Sequence, residues 1–246
     1  MSKRIAVVTG ASSGIGEASA RRLAADGFEV VCAARRVDRV EVLAREIGGR
    51  AIECDVTRAG DVARLAEVAG DRVDLIFANA GVAIGVDPVA TANLDDWRTM
   101  YEVNVLGAVA TIQALLPAAI AAHGTILAMS SYAAAVPYEG GGGYCGVKAA
   151  VRSMMGSLRL ELFDQPVRVC QIEPGLVATP EFTLNRLGGD QEKTDATYRG
   201  VKGGPLTAED IAEIVGFVAG QPEHINFDSI QVRPRAQASK DRVDRE

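Results

Sequence analysis

Residues 5–16 read IAVVTGASSGIG. The first five form a short, β-branched, apolar run, the pattern of a strand in a parallel sheet covered on both faces. Glycines follow at 10, 14 and 16, then an amphipathic helix to about residue 26 with Ala20, Leu23 and Ala24 inward. A glycine-rich turn between strand and helix points backbone N–H groups and the positive helix end at an anion. Gly10 suits the tight turn, Gly14 the close approach of a pyrophosphate, and Gly16 the close packing of the helix. Ser12, Ser13 and Ile15 complete the turn. The spacing G-x-x-x-G-x-G differs from the common G-x-G-x-x-G fingerprint. Three glycines and two serines in seven residues are nonetheless more than a plain βα connection needs.

Outward from this unit, strand and helix patterns alternate. Strands are expected at 29–34, 51–54, 73–78, 125–129, 167–172 and 229–232. Helices are expected at 37–47, 59–68, 94–122, 143–162 and 208–219. This alternation predicts an α/β fold, a doubly wound parallel sheet of Rossmann type, in a single domain over 1–237. Segment 178–205 is polar and irregular and reads as a substrate lid. Residues 238–246, ASKDRVDRE, form a charged tail expected either to be disordered or to reach a neighbouring subunit.

Composition narrows the functions. A 246-residue chain that is 48% hydrophobic has ample core for one large α/β domain. A net charge of −6 argues against nucleic acid, which wants a basic face. Cys32, Cys54, Cys145 and Cys170 contain no CxxC pair, so free buried thiols are expected, with neither disulfide nor metal. The apolar run near the start is too short for a signal peptide, and no stretch approaches 18 apolar residues. A cytoplasmic protein without a membrane partner is expected.

The end of the second strand selects the nucleotide. It reads Ala33-Ala34-Arg35-Arg36, with no carboxylate before Asp38. A carboxylate there would accept from the ribose 2′-OH of NAD, whereas guanidinium pairs bidentately with a 2′-phosphate, so NADP(H) is expected. Asp55-Val56 after the third strand could hold the adenine edge, and Asn79-Ala80-Gly81 after the fourth could line the cofactor floor.

The chemistry is placed in residues 130–148, SSYAAAVPYEGGGGYCGVK. Tyr144 and Lys148 are four apart and share one helix face, while Ser131 lies across a glycine-rich run. A phenol titrates near pH 10. The ammonium of Lys148, with a positive nicotinamide, is expected to lower that value by ~3 pK units at an effective dielectric of ~20. In reduction Tyr144 would protonate the developing alkoxide, with Ser131 donating to the same oxygen. Arg186, in the lid, is the candidate partner for a substrate carboxylate. Tyr138 and the glycines at 140–143 are expected to shape the pocket beside Tyr144. His123 and His224 receive no role.

Taken together, TGASSGIG at 9–16, Asp55-Val56, NAG at 79–81, Asn104, Ser131, YCGVK at 144–148 and PGLVAT at 174–179 resemble the short-chain dehydrogenase/reductase family. The resemblance runs along nearly the whole chain and implies a Rossmann-type sheet of about seven strands, commonly in a homotetramer or homodimer. It implies a catalytic tetrad of Asn104, Ser131, Tyr144 and Lys148, with Asn104 keeping a water in the proton relay and Lys148 holding the nicotinamide ribose. It adds Pro174, Gly175, Val177 and Thr179 to the cofactor contacts. Ala78 departs from the family's frequent NNAG. IEPGLV at 172–177 and PEHINFDSIQVRPRAQ at 222–237 are similar to the bacterial NADP-dependent 3-hydroxy acid or serine dehydrogenases. The expected activity is NADP(H)-dependent interconversion of an alcohol and its carbonyl, on a 3-hydroxy acid or β-hydroxy amino acid. A broad carbonyl reductase or β-ketoacyl reductase is the alternative, followed by a non-catalytic NADP-sensing regulator.

Overall fold

In the computed structural model, which describes residues 3–246, β1 (Arg4–Thr9) pairs in parallel with two strands. These are β2 (Phe28–Ala34) on one side and β4 (Leu75–Ala78) on the other. β3 (Arg50–Glu53) lies outside β2, and β5 (Thr125–Met129), β6 (Arg168–Pro174) and β7 (Ser229–Val232) continue beyond β4. The seven parallel strands run in the order β3-β2-β1-β4-β5-β6-β7. The order reverses between β1 and β4, where doubly wound folds place their ligands.

Alternation along each strand divides the core. Val7, Val31, Ile76 and Ile126 face one side, packed with Leu65 of α3 (Ala59–Ala69), Leu115 of α5 (Gly107–Ala122) and Val151 of α6 (Gly142–Glu161). Ala6, Val8, Phe77 and Leu127 face the other. They pack with Leu23 of α1 (Gly14–Ala25), Leu43 of α2 (Val37–Ile47) and Ile211 of α9 (Ala208–Ala219). Fully burying each such Leu, Ile or Phe contributes about 1.5–3 kcal/mol. The four cysteines are free and buried.

Four expectations change. The helix expected over 94–122 is α4 (Leu94–Tyr101), a π-turn (Glu102–Leu106) and α5. By length and average composition this stretch is also apolar enough to cross a membrane, with 44% of its most apolar 18-residue window buried inside the chain. The sequence reading that no such stretch exists is therefore corrected. One face of α5 packs on the sheet through Ile112, Leu115 and Ala119. The lid expected to be irregular contains two short helices, α7 (Phe182–Arg186) and α8 (Gln191–Tyr198). The Asp190 side chain caps α8 by accepting from Lys193 N–H at 3.0 Å, a local device that overrides weak periodicity. The tail does not hang free. Asp244 N–H donates to Ala236 O at 2.9 Å and Glu246 N–H to Gly200 O at 2.8 Å, so it folds back on its own chain.

Candidate active site

A cavity of about 790 Å³ opens at the carboxyl ends of the strands, and residues following β1 to β6 line it. Its floor is the glycine turn. Gly10 adopts φ +69°, and a Cβ on Gly16 would stand 2.3 Å from the Gly10 carbonyl oxygen. Only glycine lets the helix start that close to the turn. Thr9 Oγ1 accepts from the N–H groups of Asn79 and Ala80 at 3.1 Å each, and Asn79 Nδ2 donates to Thr9 O at 2.9 Å. These bonds fasten the ends of β1 and β4 together. Gly14, Ile15 and Gly81 also line the cavity.

One end of the cavity is built for an anion. Arg36 Nη2 donates to Ser12 Oγ and Ser13 Oγ at 2.9 Å each, and Nη1 to both carboxylate oxygens of Glu181 at 2.7 and 2.9 Å. Arg39 adds a bond to Glu181 at 2.6 Å. Burial pushes the Glu181 carboxyl up, but Arg39, Arg36 and Ser13 together hold it below its usual range. The two neighbouring arginines divide. Arg36 enters this network, while Arg35 is exposed on the cavity rim, and its charge, with Thr57 and Arg58, counters the burial of Asp55. Asp55 accepts from the Thr57 hydroxyl at 2.7 Å and N–H at 3.0 Å, which ties its loop. Val56 is buried and packs on Gly107, where a Cβ would approach Val56 Cγ2 to 2.5 Å.

Ser131, Tyr144 and Lys148 meet at the centre. Ser131 ends the segment after β5, its Oγ accepting from Ala133 N–H at 3.1 Å and facing Pro174 O at 3.5 Å. Tyr144 and Lys148 occupy successive turns of α6, with Lys148 Nζ 5.8 Å from the Tyr144 ring centroid. Lys148 is 4% exposed and donates to Met129 O at 2.9 Å.

The expected phenol shift is reversed. Burial pushes Tyr144 up to about 12 despite its hydrogen-bonding neighbour Ser131. Burial also draws Lys148 down to about 8. In the protein alone, desolvation outweighs the attraction that the i,i+4 spacing suggested.

Asn104 sits in the π-turn between α4 and α5, buried, with Nδ2 donating to Val82 O and Met100 O at 2.8 Å each. Its Oδ1 is buried without a partner, as is Thr179 Oγ1 farther along the cavity. π-turns are frequent at functional sites because they re-aim one side chain. Pro174, Gly175 and Val177 line the wall beside Thr179.

At the other end, α7 carries Arg186 to the Tyr144 ring. Its guanidinium carbon lies 5.2 Å from the Tyr144 ring centroid and 5.5 Å from that of Tyr138. Nε donates to Gly85 O at 3.2 Å, and Nη2 is buried without a partner. Phe182 places its ring edge on Tyr144 at 5.8 Å. The glycines at 140–143 serve a different purpose from the one expected. Cβ atoms there would collide with Val86 O, the Tyr138 ring, Val89, Trp97 or Met100, so they admit packing partners rather than substrate.

The sequence reading missed Arg39, Glu181 and Phe182. For Arg39 a signal existed, since Arg36 and Arg39 stand one turn apart at the start of α2. Glu181 and Phe182 carried no local pattern. His123 and His224 lie outside the cavity lining.

Residues 4–186 match the family model described as short chain dehydrogenase. An uncharacterized oxidoreductase of Mycobacterium tuberculosis is 52% identical over 98% of this chain and 94% of its own length. The serine 3-dehydrogenase of Agrobacterium fabrum is 42% identical over 93% of this chain and 92% of its own. Among solved structures, a closed form of serine dehydrogenase complexed with NADP+ superposes with a TM-score of 0.91. It is 34% identical and covers 96% of both chains. The chain belongs to the short-chain dehydrogenase/reductase family.

Proposed function

We propose that the protein is an NADP(H)-dependent oxidoreductase that interconverts a 3-hydroxy acid, or a β-hydroxy amino acid, and its carbonyl form, with Tyr144 as acid and base. One observation carries this reading: the Tyr144 phenol, Ser131 and Lys148 stand between an arginine–serine anion site and Arg186 in one cavity. The dehydrogenases to which the chain is similar, one of them complexed with NADP+, support the same chemistry.

The residues fit the nucleotide. The Glu181 carboxylate stands in for a phosphate among Arg36, Arg39, Ser12 and Ser13, so these groups would hold the 2′-phosphate. Gly10, Gly14 and Gly16 would admit the pyrophosphate, and Asp55 with Val56 would flank the adenine. The partnerless Thr179 hydroxyl, with Pro174, Gly175 and Val177, would meet the nicotinamide side, and Lys148 the ribose. When bound, NADPH supplies the hydride.

The protein's own part is the proton. With its pKa raised to about 12, Tyr144 is a neutral phenol at pH 7 and donates to the carbonyl oxygen. Ser131 gives that oxygen a second hydrogen bond. Lys148, still cationic below pH 8, favours the phenolate left behind. Asn104 Oδ1 offers an acceptor for a relay water.

Neutralising a carboxylate at Arg186 places the hydroxyl carbon near Tyr144. Tyr144→Phe keeps the ring and removes the proton, so turnover is expected to fall by about 10³-fold or more, with NADP+ affinity within about twofold of the parent. A panel of 3-hydroxypropionate, serine and neutral alcohols, assayed with NADP+ and NAD+ in parallel, tests substrate and cofactor together. Equal rates on neutral alcohols and hydroxy acids would reject the acid reading.

Exposed Leu106 (52%) in the π-turn, Leu160 (75%) at the end of α6 and Phe163 (77%) in the turn after it support self-association of the kind common in the family. Light scattering that returns a monomer would reject it.

A further inference from the structure

Residues 238–246 contribute to the cavity. Ala238 N–H donates to Arg242 O at 2.9 Å, and Arg242 N–H to Ser239 Oγ at 3.1 Å, closing a tight turn with Lys240 at its tip. The turn is held from both sides. Gln237 Oε1 accepts from Leu176 N–H at 2.8 Å, Asp244 O accepts from Lys202 N–H at 3.1 Å, and Arg245 donates to Thr197 O at 3.1 Å. These bonds tie the tail to the cavity wall and to the lid.

Lys240 is thereby brought to the cavity mouth, with Nζ 5.5 Å from the centroid of the Tyr138 ring. Arg186 lies 5.5 Å from the same centroid. Lys240 stays exposed to solvent, yet partial desolvation at the mouth, then the Arg186 charge, push its ammonium down, and neighbouring Asp241 pulls it up. Among the described residues neither Arg186 nor Lys240 forms an ion pair with a carboxylate. Two like charges around one aromatic ring repel in a partly desolvated site. An anion between them turns that repulsion into attraction.

We infer that Lys240 is a specificity residue which, with Arg186, seats the anionic head of the substrate on the Tyr138 side of Tyr144. This rests on the proposed oxidation of hydroxy acids and adds to it a second cation, supplied by the tail. The chemical class is a short alcohol with a compact anionic head, a carboxylate or a sulfonate, two or three bonds from the carbinol carbon.

The test uses the full-length holoenzyme with Lys240→Gln and Lys240→Arg. For Lys240→Gln, KM for 3-hydroxypropionate is expected to rise about tenfold at low salt, with kcat and the KM for 1-propanol within about twofold. Lys240→Arg should restore most of the loss, and 0.5 M salt should shrink it. Equal changes on both substrates, or no change on either, would overturn the inference. A wild-type enzyme that oxidises 1-propanol but not 3-hydroxypropionate would reject the hydroxy-acid reading alone. Propionate and methanesulfonate as inhibitors of 1-propanol oxidation then decide the seat. An inhibition constant about tenfold weaker in Lys240→Gln supports it, and an unchanged one overturns it.

Discussion

The two ends of the cavity both collect cations, but they treat them differently. At the end proposed for the nucleotide, Arg36 and Arg39 share the single carboxylate of the protein's own Glu181. At the end proposed for the substrate, Arg186 and Lys240 share an aromatic ring, and among the described residues neither has an acidic partner in ion-pair range. Glu181 and Arg186 are five residues apart in the lid, at opposite ends of α7. One short helix thus offers a carboxylate to one end and a guanidinium to the other. On the proposed reading, a phosphate at the first end would compete with the lid, while an anion at the second would recruit it. Nucleotide and substrate would then act on the same segment in opposite senses.

The largest expected effect that could break this contrast is at the nucleotide end. Arg36→Ala removes the group that bridges Ser12, Ser13 and Glu181, so NADP+ affinity should fall about 100-fold. NAD+ affinity should stay within about threefold, because it carries no 2′-phosphate. Titration calorimetry with each nucleotide measures both. Equal losses for the two nucleotides would mean that Arg36 only braces the glycine turn.

How far this site was legible in sequence follows the same division. The glycine turn, Arg36 and the Tyr144–Lys148 pair are written locally, within one turn or one strand end, where spacing alone fixes the neighbours. The seven strands were legible because β-branched apolar runs alternate with helical periods. The Arg36–Glu181 bond spans 145 residues, and Lys240 meets Tyr138 only because the tail folds back. No local pattern encodes either. The π-turn around Asn104 was read as part of one helical stretch, since the residues that follow it are apolar nearly all round and a one-residue shift in their period leaves no mark. The direction of the Tyr144 shift was misread for a further reason. Spacing shows which charge is near, but desolvation depends on how many atoms cover the phenol, and that is a property of the assembled core.

Lys148, between the two ends, gives an intermediate effect that depends on pH. Its pKa is lowered from 10.5 to about 8 by burial, so holding it charged in the folded protein costs about 3 kcal/mol. Below pH 8 the lysine is charged in both folded and unfolded states, and the cost is fully present. Between about 8 and 10.5 the unfolded chain binds the proton that the folded one has lost, so stability rises with pH and the cost fades. Lys148→Met, which also loses the bond to Met129 O at about 1 kcal/mol, should therefore stabilise the cofactor-free protein by about 2 kcal/mol at pH 7. That gain should disappear toward pH 10.5. Denaturant unfolding at several pH values checks it. A constant difference across the range would show that the ammonium is not desolvated.

The smallest expected effect sharpens the contrast most, because it changes one charge without altering shape. Glu181→Gln leaves the lid side chain its length but weakens its hold on Arg36 and Arg39. NADP+ no longer has to displace a carboxylate, so its affinity should increase about three- to tenfold, with NAD+ affinity unchanged. The second readout needs no nucleotide. With its anchor weakened, α7 should exchange amide hydrogens faster in the free protein, since opening of a short segment is governed by the few contacts that hold it. The magnitude is modest because Glu181 is partly exposed and water screens the pair. Tighter NADP+ binding together with faster exchange would establish that the carboxylate is both a stand-in for phosphate and a latch on the lid. Weaker NADP+ binding would instead mean that Glu181 organises Arg36 for the nucleotide, and the two ends of the cavity would differ in degree only.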